Sequence, residues 1–118
     1  MESHSITKFK VVLVPFPVDD LSSTKVRPAV CLTDPIGPHN HVVLAFITSR
    51  VTSPLLATDL VLDTRTPGFA ATGLRVSSTL QLHRLMTATK SLLVRDLGAL
   101  SSGLQAQVQE RLRTLFAL

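Results

Sequence analysis

The sequence has no tryptophan, no tyrosine and a single cysteine among 118 residues. One thiol, Cys31, excludes an intramolecular disulfide and fits a reducing compartment, where its simplest role is that of a small core residue. The longest uninterrupted apolar run, residues 42–47, is far too short to cross a bilayer. No small-residue cleavage site follows the first basic and apolar residues. We therefore expect a soluble, cytoplasmic protein that has no membrane partner.

Apolar aliphatic residues make up most of what is present. At 45% hydrophobic, with five phenylalanines as its only aromatics, the chain can bury a core of Val, Leu, Ile and Ala. The length predicts one domain, residues 1–118. The net charge of +4 arises beyond residue 59, where seven Lys and Arg face three acids, and it favours a polyanionic partner only weakly.

Residues 11–33 read as a strand, a polar loop and a second strand. The β-branched and aliphatic run at residues 11–14 is followed by Pro15 and Pro17, which predict that the first strand ends there. The second strand is predicted over residues 28–33, because proline is tolerated as a first strand residue. Arg27 precedes that proline and is biased towards an extended conformation, which places a permanent cation at the mouth of a strand.

The later chain predicts further short strands and one helix. Residues 42–47 are apolar on both faces, which is typical of a central, covered strand that leaves the core at Thr48. Further strands are predicted over residues 59–63, 73–82 and 85–89, and residues 92–97 form either a strand end or a helical turn. An apolar stripe over residues 104–116 indicates a helix with Ser101 or Ser102 as its N-cap. The fold class is thus mainly β, a small, strongly bent sheet or barrel with a C-terminal helix.

Several segments, taken in order, resemble the MazF/PemK family of toxin endoribonucleases. The family's first strand ends in a proline- and phenylalanine-rich turn, as at residues 13–17 (LVPFP). An Arg-Pro-Ala segment follows a polar loop, here residues 27–29, and a later strand ends in Ile-Thr, here residues 47–49 (ITS). Later family blocks are matched by Gly73-Leu74, Ser78, Leu82 and Lys90-Ser91-Leu92. The chain departs from the family at residues 9–10, usually Gly-Asp or Gly-Glu, and at residues 86–90, commonly Arg-Thr-Leu-Asp-Lys.

The resemblance implies a small SH3-like β-barrel of the MazF/PemK/CcdB type with a C-terminal α-helix, working as a homodimer. It implies sequence-selective cleavage of single-stranded RNA (mRNA) by 2′-hydroxyl attack, leaving 2′,3′-cyclic phosphate and 5′-hydroxyl ends, with no metal or other cofactor. It also implies a type II toxin–antitoxin system, in which the tail of a cognate antitoxin protein occupies the RNA groove.

Arg27 and Thr48 are the predicted catalytic residues. A guanidinium offers five donors in a fixed fork and stays charged, so Arg27 suits the stabilisation of a phosphorane better than general base chemistry. The alternative is a non-catalytic role, in which Arg27 is a surface arginine that forms a salt bridge with Asp19 or Asp20. The Thr48 hydroxyl suits donation to a phosphate oxygen or orientation of the 2′-hydroxyl, whereas threonine most often simply completes a strand.

Single-stranded RNA is commonly read by loops, stacking surfaces and polar groups. The predicted RNA-binding residues are Phe16, Asp19, Asp20, Ser22, Ser23, Lys25, Ser49, Arg50 and Arg84. A core role for Phe16 and a solvated role for Arg84 remain alternatives. His39 and His41 share a loop without neighbouring carboxylates, so we expect no metal site there, and the histidines are assigned structural or exposed roles.

Two other functions stay open. CcdB-type toxins share the barrel but bind DNA gyrase through the C-terminal helix, and a degenerate family member would bind RNA or antitoxin without cutting. The Arg27–Thr48 pair favours the nuclease, because a gyrase binder has no need of it.

Overall fold

A computed structural model describes residues 6–17, 24–50 and 55–118. Its strands are β1 (Lys10–Pro17), β2 (Thr24–Cys31), β3 (His41–Thr48), β4 (Asp59–Leu62), β5 (Ser78–Thr89) and β6 (Arg95–Ala99). Two 3₁₀ turns (Ala70–Thr72 and Lys90–Leu92) and one helix, α1 (Ser102–Phe116), complete the described elements. The prediction of a mainly β fold with a C-terminal helix is confirmed: the strands form a curled half-barrel.

The strands form one sheet in the order β4-β5-β3-β2-β1-β6, and every neighbouring pair is antiparallel. Alternate side chains of the central strands therefore enter two separate apolar clusters. The inner cluster, which includes α1, contains Val11, Val30, Ala45, Ile47, Leu80, Leu82, Leu104 and Val108. The outer cluster contains Val12, Val14, Ala29, Cys31, Leu44 and Phe46. β3 is covered on both faces, as its apolar run predicts.

β1 ends at its prolines, as predicted, but both Pro15 and Pro17 lie inside the strand. β1 continues through Pro17 and pairs with β2 as far as Pro17 opposite Thr24. Pairing with β6 stops at Leu13, whose carbonyl oxygen accepts from Val94 N at 2.8 Å. The backbone nitrogens of Pro15 and Pro17 face the β6 side of the strand, as the backbone of Leu13 does, but they lie beyond the last residue paired with β6. Their missing N–H groups therefore cost no ladder hydrogen bond.

β2 likewise begins earlier than its proline predicts. The strand starts at Thr24 rather than at Pro28, so Arg27 lies inside it, opposite Val14. Pro28 is tolerated there because pairing with β3 begins only at Ala29. Arg27 is thus held by a strand ladder instead of standing at a strand mouth.

β5 is one bent strand of 12 residues where two shorter ones were predicted. Leu85 lies opposite Ala45, and Gln81 lies opposite the next β3 residue, Phe46. Residues 82–84 therefore form a bulge, which bends the strand and redirects its side chains. Periodicity alone does not reveal such an insertion, so the sequence suggested a break.

The helix prediction is confirmed for its cap and for the start of its apolar stripe, whereas Phe116 at the end of that stripe is 54% exposed. Ser101 is the N-cap, and its hydroxyl oxygen accepts from Leu104 N at 3.3 Å. Leu104 and Val108 are buried against the sheet. In the described part of the chain, no helix has the length and apolar character needed to span a membrane.

Candidate functional site

An open groove of about 330 Å³ lies on the outer face of the sheet, where β1, β2, β3 and β5 approach one another. Its described lining residues are Phe16, Arg27, Phe46, Ile47, Thr48, Arg50, Gln81 and Arg84. Three arginines and no carboxylate are among these, so the described wall of the groove is positively charged. Such a wall suits a phosphate-bearing ligand.

Arg27 projects into the groove from the middle of β2 and is half-buried. Its Cζ lies 5.9 Å from the centroid of the Phe16 ring, within the range of a cation–π interaction. Its Nε is buried and has no hydrogen-bond partner among the described residues. A ligand oxygen that accepted from this nitrogen would relieve the cost of a buried, unsatisfied donor, about 1–3 kcal/mol.

Phe16 forms part of the floor of the groove. Its ring packs edge-to-face with the buried Phe46 ring, with centroids 4.6 Å apart and an interplanar angle of 67°. The guanidinium of Arg84 also lies near it, with Cζ 5.7 Å from the ring centroid. One aromatic ring therefore engages two cations from different strands, Arg27 on β2 and Arg84 on β5.

Thr48 ends β3 and lines the groove together with these cations. Its Oγ1 accepts a hydrogen bond from Arg50 N at 3.2 Å, which fixes the oxygen and leaves the hydroxyl hydrogen able to donate. That turn also carries Arg50 to the groove wall. The strand end and the short turn thus supply a hydroxyl donor and a cation together.

Five predicted site residues line the groove, whereas two others do not. Phe16, Arg27, Thr48, Arg50 and Arg84 line it. Lys25 and Ser49 are exposed and lie next to it along the chain. Asp19, Asp20, Ser22 and Ser23 lie outside the described residues. The alternative ion pair of Arg27 with Asp19 or Asp20 therefore lies outside them too.

Gln81 is a groove residue that the sequence analysis missed. It is half-buried, between two core leucines of β5, Leu80 and Leu82. A polar residue between two buried ones predicts a side chain on the opposite face, and that signal was available. The β5 bulge, which brings Arg84 to the same wall, left no comparable signal.

Outside the groove, Asp59 forms a second polar cluster. Its side chain is 3% exposed, its Oδ2 accepts from Leu56 N at 3.0 Å, and its Oδ1 lies 4.0 Å from His83 Nδ1. The Asp59 carbonyl oxygen accepts from Arg111 Nε at 2.9 Å, which joins β4 to α1.

His39 and His41 are exposed in their loop. Across residues 6–17, 24–50 and 55–118, no three His, Cys, Asp or Glu side chains are grouped to hold a metal ion.

Cys31 lies in the outer cluster but not on the groove wall. It is a free, buried thiol. Burial, together with the nearby charge of Asp96, raises the pKa of the Cys31 thiol to about 11, although Lys10 opposes this. The thiol is therefore neutral at physiological pH and is a poor nucleophile.

Both the sequence and the fold of this chain are similar to those of known toxins. Residues 7–116 match the model of the PemK-like, MazF-like toxins of type II toxin–antitoxin systems. No curated protein matches the chain. Among solved structures, the Mycobacterium tuberculosis toxin MazF-mt6 is 27% identical, with a TM-score of 0.66 over 91% of this chain and 97% of that one.

Two further structures share the fold. An endoribonuclease from a mycobacterial species, solved in complex with its cognate antitoxin, has a TM-score of 0.69 and covers 97% of each chain at 16% identity. Another M. tuberculosis toxin is 25% identical, with a TM-score of 0.61 over 85% of this chain and 97% of that one. Because the family model spans nearly the whole sequence, the chain belongs to the MazF/PemK family of toxins of type II toxin–antitoxin systems.

Proposed function

We propose that this toxin is a metal-independent endoribonuclease that cleaves single-stranded RNA in the groove lined by Arg27 and Thr48. One observation carries the proposal: a half-buried arginine from β2 and a strand-end hydroxyl from β3 line the same cationic groove. The family to which the chain belongs, whose members include endoribonucleases, adds support.

In the proposed reaction, the 2′-oxygen of a ribose attacks the adjacent phosphorus. The P–O5′ bond breaks, a 2′,3′-cyclic phosphate forms, and the departing 5′-oxygen takes up a proton to become a hydroxyl. Negative charge accumulates on the non-bridging oxygens in the transition state. The Arg27 guanidinium stabilises this charge, since its donors fit phosphate oxygens and its position on a strand is preorganised.

Thr48 donates its hydroxyl hydrogen to a non-bridging oxygen or to the 2′-oxygen. The hydrogen bond from Arg50 N to Thr48 Oγ1 supports this role because it occupies a lone pair and not the hydrogen. Isosteric replacement of Thr48 by valine therefore tests the hydroxyl without altering the shape of the strand end.

The remaining cations hold the RNA strand. Arg50 and Arg84 line the groove and bind phosphates that flank the cleaved one. Phe16 anchors guanidinium groups, a role that its two cationic neighbours support more directly than base stacking. Lys25, Ser49, Asp19, Asp20, Ser22 and Ser23 stay assigned to RNA binding as predicted from the sequence.

The proposed partners are the RNA, a cognate antitoxin and a second copy of the chain. The structural neighbour solved with its antitoxin supports an antitoxin partner here. Exposed apolar side chains on β2 and β5, including Val26 and Leu85, support a homodimer. The proposed location is the cytoplasm, where mRNA and a reduced Cys31 are expected.

The test is cleavage of a single-stranded RNA pool in EDTA, with chemical identification of the new ends. The wild-type protein should leave 2′,3′-cyclic phosphate and 5′-hydroxyl ends. Arg27→Ala should lower kcat by about 10²–10³ or more, the range for removing a transition-state donor. Thr48→Val should lower kcat while leaving circular dichroism unchanged.

Arg75→Ala is the matched control, because Arg75 is exposed and is not among the residues that line the groove. Undiminished cutting by Arg27→Ala would remove that residue from the mechanism. A gyrase supercoiling assay on the same preparation separates the alternatives: inhibition of gyrase without RNA cleavage would replace the nuclease by a gyrase poison.

A further inference from the structure

Gln81 lines the groove but has no part in the proposed catalysis or phosphate binding. It lies on β5 between two paired strands, opposite Phe46 on β3 and opposite Asp59 on β4. Its backbone is therefore held from both sides. Its neighbours Leu80 and Leu82 are fully buried in the inner cluster, so the Gln81 side chain is directed to the groove face.

The amide of Gln81 is available to a ligand. No hydrogen bond to another residue within 6–17, 24–50 or 55–118 engages it. Arginine side chains only donate, and the Thr48 hydroxyl carries its donor and its acceptor lone pairs on one oxygen, which already accepts from Arg50. Among the described lining residues, Gln81 thus offers an uncharged donor and an uncharged acceptor side by side.

A neighbouring donor and acceptor is the pattern that the edge of a nucleobase presents, whereas a phosphate presents acceptors alone. The strand that carries this amide is paired on both sides, and sites built on such rigid elements are more precise than sites on loops, as base readout requires. We infer that Gln81 is a specificity-determining residue, which reads the hydrogen-bonding edge of one unpaired nucleobase next to the cleaved phosphate. This inference rests on the proposed nuclease function.

The experiment compares the sequence preference of wild-type protein with those of Gln81→Met and Gln81→Glu. Cleavage ends from a randomised single-stranded RNA pool are sequenced, so that preference is measured separately at each nucleotide position. Met keeps the length of the side chain without its polar atoms. Glu keeps the acceptors but removes the donor. Gln109→Glu, on the exposed face of α1, is the matched control.

We expect Gln81→Met to reduce base preference at one position by roughly tenfold, the order of discrimination of a bidentate amide–base contact. Gln81→Glu should shift that same position towards bases whose edge donates. Preferences at the other positions and those of Gln109→Glu should match the wild type. A uniform loss of rate with an unchanged profile would overturn the inference and leave Gln81 a packing residue.

Failure of the nuclease proposal is recognisable separately. If wild-type protein cuts no RNA in the pool, the proposed function fails first. The uncut RNA that the wild-type protein and each of the same variants retain is then sequenced. A retained pool whose base composition does not depend on residue 81 would overturn the readout as well.

Discussion

At the residue scale, the groove depends on the ring of Phe16. Two guanidinium carbons lie within 6 Å of its centroid, one from β2 and one from β5, while it packs edge-to-face with Phe46. The ring therefore fixes the direction of Arg27 and Arg84 without neutralising either charge. A carboxylate in that position would hold the same cations but weaken their attraction for phosphate.

The first prediction concerns Phe16→Leu, which preserves an apolar contact with Phe46 but removes the π face. Each exposed cation–π contact contributes about 0.5–1 kcal/mol. We expect kcat/KM on RNA to fall by roughly 5- to 30-fold. In a protein that already carries Arg84→Ala, Phe16→Leu should lower kcat/KM by a smaller factor. Phe116→Leu, at the exposed end of α1, is the control. Additive losses in the double variant would contradict the shared platform.

A second residue-scale prediction follows from Cys31, whose thiol pKa is raised from 9.0 to about 11. A raised folded-state pKa means that its contribution to stability is complete below pH 9 and disappears as pH rises towards 11. The wild type should therefore lose more unfolding free energy than Cys31→Ala between pH 8 and pH 11, measured by urea denaturation. A thiol reagent at pH 8 should modify the protein only after unfolding. Rapid modification of the native protein would contradict the burial.

At the element scale, close approach of two segments fixes the end of the sheet near β6. Gly73 has φ +75°, and a Cβ there would overlap the carbonyl oxygen of Leu97 on β6. Gly37 has a similar φ of +72° but nothing within 4 Å of its would-be Cβ. Comparing substitutions at the two glycines therefore separates the free-energy cost of the left-handed backbone from the cost of steric overlap.

The third prediction compares Gly73→Ala with Gly37→Ala. Gly37→Ala should cost about 1–2 kcal/mol of unfolding free energy, the penalty of a left-handed conformation. Gly73→Ala should cost more, about 3 kcal/mol or above, because β6 must also move. Thermal and urea denaturation of both variants measure the difference. Equal costs would show that the Leu97 contact relaxes freely.

The structural elements also differ in how far the sequence alone predicts them. The helix, its Ser101 cap and the covered strand β3 follow from periodicity and local chemistry. The course of β1 and β2 through their prolines does not, because it depends on where the neighbouring strands stop pairing. The bulge at residues 82–84 is likewise a property of register between distant segments. Of the groove, Arg27 and Thr48 were accessible through ordered family motifs, and Gln81 through its position between core leucines.

At the scale of the whole molecule, the exposed apolar surface favours self-association. Among the residues that the structure describes, the large exposed apolar side chains are Ile6, Val26, Ile36, Leu55, Leu56, Val76, Leu85, Leu92, Val94, Phe116 and Leu118. A stable dimer buries about 800 Å² per partner, which is about a tenth of the 7269 Å² surface of one chain.

The fourth prediction is therefore a homodimer in solution. Light scattering at micromolar concentration should give twice the 12.8 kDa mass of one chain. Val26→Glu, which places a charge on a half-exposed apolar position of β2, should shift the equilibrium towards monomer if that strand lies at the interface. A monomeric wild type would contradict the proposal.

The prolines of β1 have a consequence for aggregation. An exposed strand edge is ordinarily a template on which further chains can pair and grow into fibrils. Beyond Leu13, the β1 edge has no described partner strand, but Pro15 and Pro17 leave it without the donors that an added strand would need. Cross-β growth from this edge is therefore blocked beside the groove that we propose binds RNA.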